Sequence, residues 1–313
     1  MAPSNSDPLY NIVNPQLVDV FRLGKELMNR SRNPLGSMHK GGTEDRRFRE
    51  FYGVSAGTAL DTWNRLSEQD LTPAGGKFIH LLWTLMFFKL YGIETDLCAH
   101  AGGIYGAIDK KTFRKWTWPM AEALAELEYS VIRLDNRYVG DQGYDCLLSV
   151  DGTDFRIPLV HNNNIRGFWS YKFKSCGLRY EVGLSILKGD ICWINGPYPP
   201  GIWNDNMIFQ NFLVQMLDQN ERVEADDGYL GSAPQHVKCP GSVANLAERE
   251  EMQQRVRNRH ETVNRRFKQF HILKDVFRHD PRLHCCVFTA IAVLTQISIE
   301  NGDELFEIDN YHD

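Results

Sequence analysis

Two short stretches that predict β-strands each end in an aspartate. Residues 147–150, Leu-Leu-Ser-Val, lead into Asp151, and residues 222–225, Arg-Val-Glu-Ala, lead into Asp226. A third acid, Glu261, follows 35 residues after Asp226 in a charged segment that predicts a helix. A carboxylate near a hydrophobic core is costly unless a partner balances its charge. Three such acids that meet would indicate a cation site, and oxygen ligands of this kind suit Mg²⁺ or Mn²⁺.

The length and composition predict a folded chain of two domains. A chain of 313 residues with 42% hydrophobic content can bury at least one full core. The longest apolar run, residues 78–90, is shorter than the roughly 20 residues that span a bilayer, so no membrane partner is expected. Residues 1–7 lack the features of a secretory signal, which favours an intracellular location. The seven cysteines form no Cys-x-x-Cys pair, which favours reduced, buried thiols.

Charge is distributed unevenly along the chain. The net charge of −5 has the wrong sign for a protein whose whole surface coats nucleic acid. Residues 249–282 nevertheless hold ten lysines and arginines against five acids, whereas residues 283–313 hold six acids and no lysine or arginine. We therefore expect a polyanion to meet only the basic stretch.

Residues 44 to about 130 predict helices separated by glycine-containing turns. The predicted helices are 44–51, 58–66, 78–91, 95–101 and 110–127. Thr95 and Asp109 are the expected N-caps of the last two. The stretch 78–127 has the outline of a helix-turn-helix, whose second helix would meet base edges with its first residues. Those residues are Lys110, Lys111, Arg114 and Lys115. A plain helical bundle with a solvated basic turn fits the pattern equally well.

After Arg137 the pattern changes to strands and helices together. The predicted strands are 146–150, 171–175, 179–187, 190–195 and 222–225, and the predicted helices are 205–217, 245–270 and 283–299. Asp205 is the expected N-cap of the first of these helices. The order predicts an α/β domain with a mixed sheet at 137–313, preceded by an all-helical domain at 1–136.

Parallel pairing would bring Asp151 and Asp226 together. If their strands are parallel neighbours, joined by a crossover that contains the helix at 205–217, both carboxyl ends lie at one edge of the sheet. Open α/β sheets bind ligands at that edge.

Glu261 lies on the polar side of its predicted helix. The apolar residues of that helix form one stripe, made of Val256, Val263, Phe267 and Phe270. Glu261 lies about 180° to 240° from the stripe, beside Arg257, Arg265 and Lys268. We expect those three cations to contact DNA phosphates, together with Lys172, Lys174 and Arg179 on or beside the strand after Asp151. An ordinary solvated glutamate and solvated basic faces are the alternatives.

Four motifs, in chain order, resemble those of the DDE-superfamily endonucleases, and within them the PIF/Harbinger and IS5-like transposases. They are Val150-Asp151-Gly152-Thr153, Pro200-Gly201-Ile202-Trp203-Asn204-Asp205, Asp226-Asp227-Gly228-Tyr229, and Arg259-His260-Glu261 followed by Phe267-Lys268. They are similar to the first acidic motif, the Gly-x-x-x-Asp segment, the Asp-x-Gly-Tyr motif and the Arg-x-x-x-Glu motif of that family. The resemblance covers residues 140–300 and selects Asp226 over Asp227, with Ala225 where a glycine is common.

The resemblance implies an RNase H-like fold in which Asp151, Asp226 and Glu261 hold two Mg²⁺ ions. One ion would polarise the attacking water or DNA 3′-hydroxyl, and the other would stabilise the leaving oxygen. It implies an enzyme that cuts transposon ends and joins them to target DNA, in the nucleus if the host is eukaryotic. The expected partners are DNA, a separate Myb-like DNA-binding protein and a second copy of the chain.

Two rival functions stay open. One is a domesticated derivative that binds DNA or a protein without cleaving. The other is an unrelated carboxylate-pair hydrolase such as a glycosidase, which needs two acids and no metal.

Overall fold

The structure is a computed structural model that describes residues 8–28, 41–138, 146–159 and 165–305, apart from the side chains of residues 252–257. The chain divides into two compact units. The first unit consists of residues 1–128, 268–273 and 286–301, and the second consists of residues 129–267, 274–285 and 302–313.

Helices make up the amino-terminal part of the first unit. They are α1 (Leu17–Leu27), α2 (Gly41–Tyr52), α3 (Ala56–Glu68), α4 (Phe78–Leu90), α5 (Glu94–Ala101) and α6 (Lys110–Glu126). Each helix predicted between residues 44 and 127 is present, and α1 is an addition to that prediction. Every residue of α4 from Phe78 to Phe88 is buried, because α2, α3, α5 and α6 all pack against it. A helix that is apolar on all sides belongs in such a core.

The two predicted helix caps have different outcomes. Asp109 does cap α6, since its carboxylate accepts hydrogen bonds from the backbone N–H groups of Lys111 and Thr112. The prediction for Thr95 is wrong, because α5 begins one residue earlier and Ile93 occupies the cap position. Within the candidate helix-turn-helix, Arg114 is paired with Glu94 at 2.5 Å, and the three neighbouring lysines are exposed.

The remaining elements include a mixed sheet of six strands. In chain order they are α7 (Glu128–Val131), β1 (Cys146–Arg156), α8 (Ile165–Phe168), β2 (Trp169–Ser170), β3 (Ser175–Ser185), β4 (Ile191–Tyr198), α9 (Asp205–Asn211), β5 (Arg222–Ala225), β6 (Val237–Lys238), α10 (Leu246–Lys268), α11 (His271–Lys274) and α12 (His284–Glu300). The strand order is β2-β3-β1-β5-β6, with β4 also paired to β3. The β1/β3, β2/β3 and β3/β4 pairs are antiparallel, whereas β1/β5 and β5/β6 are parallel. The predicted mixed α/β class is therefore present.

Two strand predictions need correction. β1 does not stop before Asp151 but continues to Arg156, because β3 pairs with it along its whole second half. Residues 171–174 form a turn rather than a strand. Lys174 has a positive φ of 53° there, and its N–H donates to the carbonyl of Ser170.

The connection from β1 to β5 contains α9, as expected. Phe209 of α9 and Leu213 after it are completely buried against the sheet. The strand residues of this core are Leu148, Val150, Cys192, Val223, Ala225 and Val237. Burial of these side chains fixes α9 over the strands that lead to Asp151 and Asp226.

The apolar helix near the end of the chain is mostly a core element. Residues Pro281–Glu300 are the one stretch, among the described residues, that is long and apolar enough to cross a membrane. In this structure 78% of its apolar window is buried, which is typical of a core helix. A single buried helix of this kind is weak evidence for a membrane span.

Candidate functional site

Asp151 lies on β1, and Asp226 directly follows β5, the parallel neighbour of β1. Val150 of β1 pairs with Ala225 of β5, so each aspartate is the next residue after a paired position. Asp226 follows the end of β5 and caps a short 3₁₀ helix, where its Oδ1 accepts a hydrogen bond of 2.8 Å from the N–H of Gly228. The expected parallel pairing of these strands is confirmed.

The electrostatics link the same two acids. Burial, together with the negative charges of Asp226 and Asp205, raises the pKa of Asp151 to about 7, and the positive charge of Lys172 opposes this rise. A carboxyl group that titrates near neutrality beside another carboxylate is typical of sites where a cation or a proton is bound.

Asp205 is the third carboxylate of this cluster. The prediction that it caps α9 is wrong, since Asn204 is the cap and its side chain accepts from the N–H of Met207. Asp205 is instead the first residue of α9, and its side chain lies against the backbone of β1. A Cβ atom on Gly152 would come within 1.9 Å of its Oδ1, so a glycine is required there.

The negative charges of Asp205 and Asp226 also interact. Burial raises the pKa of Asp205, Arg179 opposes that rise, and Asp226 adds to it. The Oδ2 atom of Asp205 and the Oδ1 atom of Asp226 both approach Gly228, at 3.5 and 2.8 Å from the position of a Cβ atom there. Asp151, Asp205 and Asp226 therefore form one acidic cluster.

Arg179, predicted as a DNA contact, is paired with carboxylates. Its Nε lies 2.7 Å from Oδ1 of Asp154, its Nη2 lies 3.1 Å from Oδ2 of Asp154, and its Nη1 lies 3.3 Å from Asp205. Asp154 is 1% exposed and also accepts a hydrogen bond of 2.6 Å from Ser170 Oγ. Asp154 is therefore a buried partner of Arg179 and Ser170.

Glu181 is a buried acid that the sequence analysis did not identify. It lies opposite Gly152 in the β1/β3 register and is 1% exposed. Burial raises the pKa of Glu181 to about 8. Its sequence signal is a carboxylate in the middle of a strand, between the large and mainly apolar side chains of Tyr180 and Val182.

Glu261 lies on the polar side of α10. It is exposed on α10, as the helical geometry predicts, and the stripe residues Val263, Phe267 and Phe270 are at most 1% exposed. The structure brings Asp151 and Asp226 together. The role of Glu261 as a third ligand stays a prediction.

The two residues before Glu261 are buried, which the sequence analysis missed. Arg259 is 1% exposed, and its guanidinium donates to the carbonyls of Ser185, at 3.0 Å, and of Ile186. His260 is 3% exposed and is hydrogen-bonded to Ser149 Oγ at 3.1 Å. These contacts attach α10 to β3 and to the strand that contains Asp151.

The other predicted DNA contacts are divided among several surfaces. Lys172 and Lys174 are exposed in the turn before β3, and Arg265 is exposed on α10. Lys268 is partly buried at the end of α10 and belongs to the first unit. The side chain of Arg257 lies outside the described residues. DNA contact by these side chains stays a prediction.

Two of the three predicted metal ligands, Asp151 and Asp226, lie together in the acidic cluster. Within the described parts of the chain, no group of three or more His, Cys, Asp or Glu side chains is arranged to hold a metal ion. Mg²⁺ is often held by only one or two carboxylates, because substrate phosphates and water complete its shell. Asp151 and Asp226 fit that requirement, whereas the arrangement of three acids around two ions stays a prediction.

Comparisons of the chain with protein-family models, with curated proteins and with solved structures find no match. The family resemblance therefore rests on the four sequence motifs.

Proposed function

We propose that the chain is a metal-dependent DNA endonuclease and strand transferase of the PIF/Harbinger type. The observation that carries the proposal is the pairing of Val150 with Ala225 on parallel strands, which makes Asp151 and Asp226 neighbours. These are the first two acids that the resemblance selects. The raised pKa of Asp151 supports the same role, because a cation at this position would relieve its repulsion from Asp226.

The sheet supports the RNase H-like fold that the resemblance implies. Without the short β2, the order is β4-β3-β1-β5-β6, and only β3 runs antiparallel to the others. That fold likewise combines an antiparallel meander with parallel strands. The first acid would lie on the central strand and the second would follow its parallel neighbour.

The residues of the chain would act by binding and orienting. Asp151 and Asp226 would hold Mg²⁺ or Mn²⁺, which would activate the attacking oxygen and stabilise the leaving oxygen of a phosphodiester. Glu261 is the proposed third ligand. The positive charge of Lys172 lowers the pKa of Asp151. The same charge would attract a phosphate toward the acids.

Isosteric substitutions of the three acids test the proposal. Supercoiled plasmid is incubated with Mg²⁺ or Mn²⁺ and the wild-type chain, Asp151→Asn, Asp226→Asn or Glu261→Gln. We expect nicking by the wild type only, and none when EDTA is present. Glu122→Gln, at an exposed position of α6, is the matched control and should nick like the wild type.

Each other outcome has a definite meaning. If all three variants nick the plasmid with Mg²⁺, the assignment of the acids is wrong. Wild-type hydrolysis that survives EDTA would favour a hydrolase with a metal-free carboxylate pair.

A second candidate is a derivative that binds DNA or protein without cleaving. It is favoured by one observation: among the described residues, no group of three or more His, Cys, Asp or Glu side chains is arranged to hold a metal ion. This candidate predicts that the wild type shifts labelled DNA in a gel but leaves supercoiled plasmid intact at every Mg²⁺ and Mn²⁺ concentration.

A further inference from the structure

Arg179 connects three separate parts of the second unit. It lies on β3, its fork of Nε and Nη2 pairs with Asp154 of β1, and its Nη1 faces Asp205 at the start of α9. The same Nη1 lies 3.5 Å from the carbonyl of Trp203, in the loop that leads to α9. The planar guanidinium can pair through two N–H groups with the carboxylate of Asp154 while a third nitrogen faces Asp205, and the compact ammonium of lysine cannot reproduce this fork.

The Asp205 carboxylate is directed toward the acidic cluster by these contacts. Its Oδ1 lies over Gly152, the residue after Asp151, and its Oδ2 faces Gly228, whose N–H is bonded to Asp226. The backbone of the preceding loop is also held, since the N–H of Gly201 donates to the carbonyl of Gly167 at 2.9 Å. Small residues at 152 and 228 are what allow this close approach.

Asp205 retains unused capacity to accept a hydrogen bond. Its Oδ1 is buried, yet it accepts no hydrogen bond from any described residue, because the 3.3 Å contact with Arg179 is an ion pair without hydrogen-bond geometry. Buried carboxylate oxygens are normally satisfied by a donor. Water bound to a cation at Asp151 and Asp226 is a donor of the right kind, and side chains that orient such ligands tune metal affinity.

We propose that Arg179 is a positioning residue, which holds Asp205 so that its carboxylate supports a divalent cation bound by Asp151 and Asp226. This inference rests on the proposed function and deepens it. It replaces the expectation that Arg179 contacts DNA phosphates. Arg179 acts through Asp205, and Asp205 acts on the cation through its bound water.

Mn²⁺ binding to the full chain, measured by calorimetry without DNA, tests the inference. The variants are Arg179→Met, Arg179→Lys and Asp205→Asn. Each should raise the Mn²⁺ dissociation constant about tenfold or more, which is typical when a residue that orients a metal ligand is lost. Asp205→Asn keeps the buried pair of Arg179 and Asp154, so it tests the inference even if the Arg179 variants fold poorly.

The direction of the change separates positioning from simple charge. Arg179→Met removes a positive charge near the acids, so charge alone predicts tighter Mn²⁺ binding. An unchanged or lower dissociation constant in Arg179→Met and Asp205→Asn would overturn the inference. Arg133→Met, which removes an exposed arginine whose side chain donates to Asn136, is the matched control and should bind Mn²⁺ like the wild type.

DNA binding provides the second readout. Positioning predicts that Arg179→Met leaves the salt dependence of DNA affinity unchanged, whereas loss of a phosphate contact would reduce the slope by about one. The two proposals also fail separately. If the wild type binds no Mn²⁺, the proposed metal site fails. If Asp151→Asn abolishes Mn²⁺ binding while the Arg179 and Asp205 variants bind Mn²⁺ like the wild type, the metal site stands and only the role of Arg179 and Asp205 fails.

Discussion

The buried carboxyl group of Glu181 predicts an unusual dependence of stability on pH. Glu181 is 1% exposed, and its Oε2 accepts a hydrogen bond of 2.9 Å from Trp193 Nε1. Burial raises its pKa to about 8, the hydrogen bonds from Trp193 and Tyr229 oppose the rise, and the negative charge of Asp205 adds to it. Glu181 is therefore protonated in the native chain at neutral pH.

The magnitude follows from linkage between proton binding and folding. The unfolded chain releases this proton near the ordinary pKa of 4.5, whereas the native chain keeps it until about pH 8. The stability contributed by Glu181 is fully present below pH 4.5 and is lost as the pH rises through 8. The loss is about 1.4 kcal/mol per pH unit, or about 3 kcal/mol at pH 7 and up to about 5 kcal/mol above pH 8.

Glu181→Gln removes this ionisation and keeps the shape of the side chain. Its amide oxygen can accept from Trp193, and its amide nitrogen can donate to the hydroxyl oxygen of Tyr229. We expect the variant to gain stability relative to the wild type as the pH rises from 5 to 8. The free energy of unfolding is measured from urea curves at pH 5, 6, 7 and 8.

A surface variant controls for the effect of replacing a carboxylate by an amide. Glu122→Gln, at an exposed position of α6, reports the effect of replacing a carboxylate by an amide in water. A difference between Glu181→Gln and the wild type that stays constant from pH 5 to 8 would refute the reasoning, because it would mean that Glu181 ionises normally in the native chain.

Two further predictions concern stability. Burial lowers the pKa of His260 to about 3, so the unfolded chain gains a proton below pH 6.5 that the native chain does not, and stability is lost as the pH falls. His260→Gln should remove up to about 1.4 kcal/mol of this loss per pH unit in urea unfolding, and an equal loss in variant and wild type would contradict it. Gly53 has a φ of +84°, and a Cβ there would lie 2.3 Å from the ring of Phe270. Gly53→Ala should therefore cost about 2 kcal/mol or more, and an unchanged melting temperature would contradict this expectation.

Local periodicity accounts for the parts of the fold that were predicted correctly. The helices between residues 44 and 127, the hairpin of β3 and β4, and the exposed side of α10 all depend on spacing within one element. Spacing decides which face of an element is apolar, and burial of that face follows. The pairing of β1 with β5 was predicted for a related reason, since a connection through a helix favours parallel neighbours.

The partners of polar side chains were not predicted, because they come from distant parts of the chain. Arg179 appeared to be a surface cation, yet its partners Asp154 and Asp205 lie 25 and 26 residues away. Arg259 and His260 appeared to belong to a charged helix, yet both are buried against β1 and β3. A sequence pattern records the type of a side chain but not the carboxylate or carbonyl that faces it.

The sequence by itself determined the two aspartates, the strands that lead to them and the mixed α/β class, because these depend on local pattern and on chain connectivity. Only the tertiary structure decided which acids meet. It joined Asp205 to Asp151 and Asp226, left Glu261 exposed on α10, and buried Glu181 opposite Gly152. The physical reason is that the free energy of a carboxylate depends on its neighbours in space, and β-sheet pairing brings together neighbours that are distant in sequence.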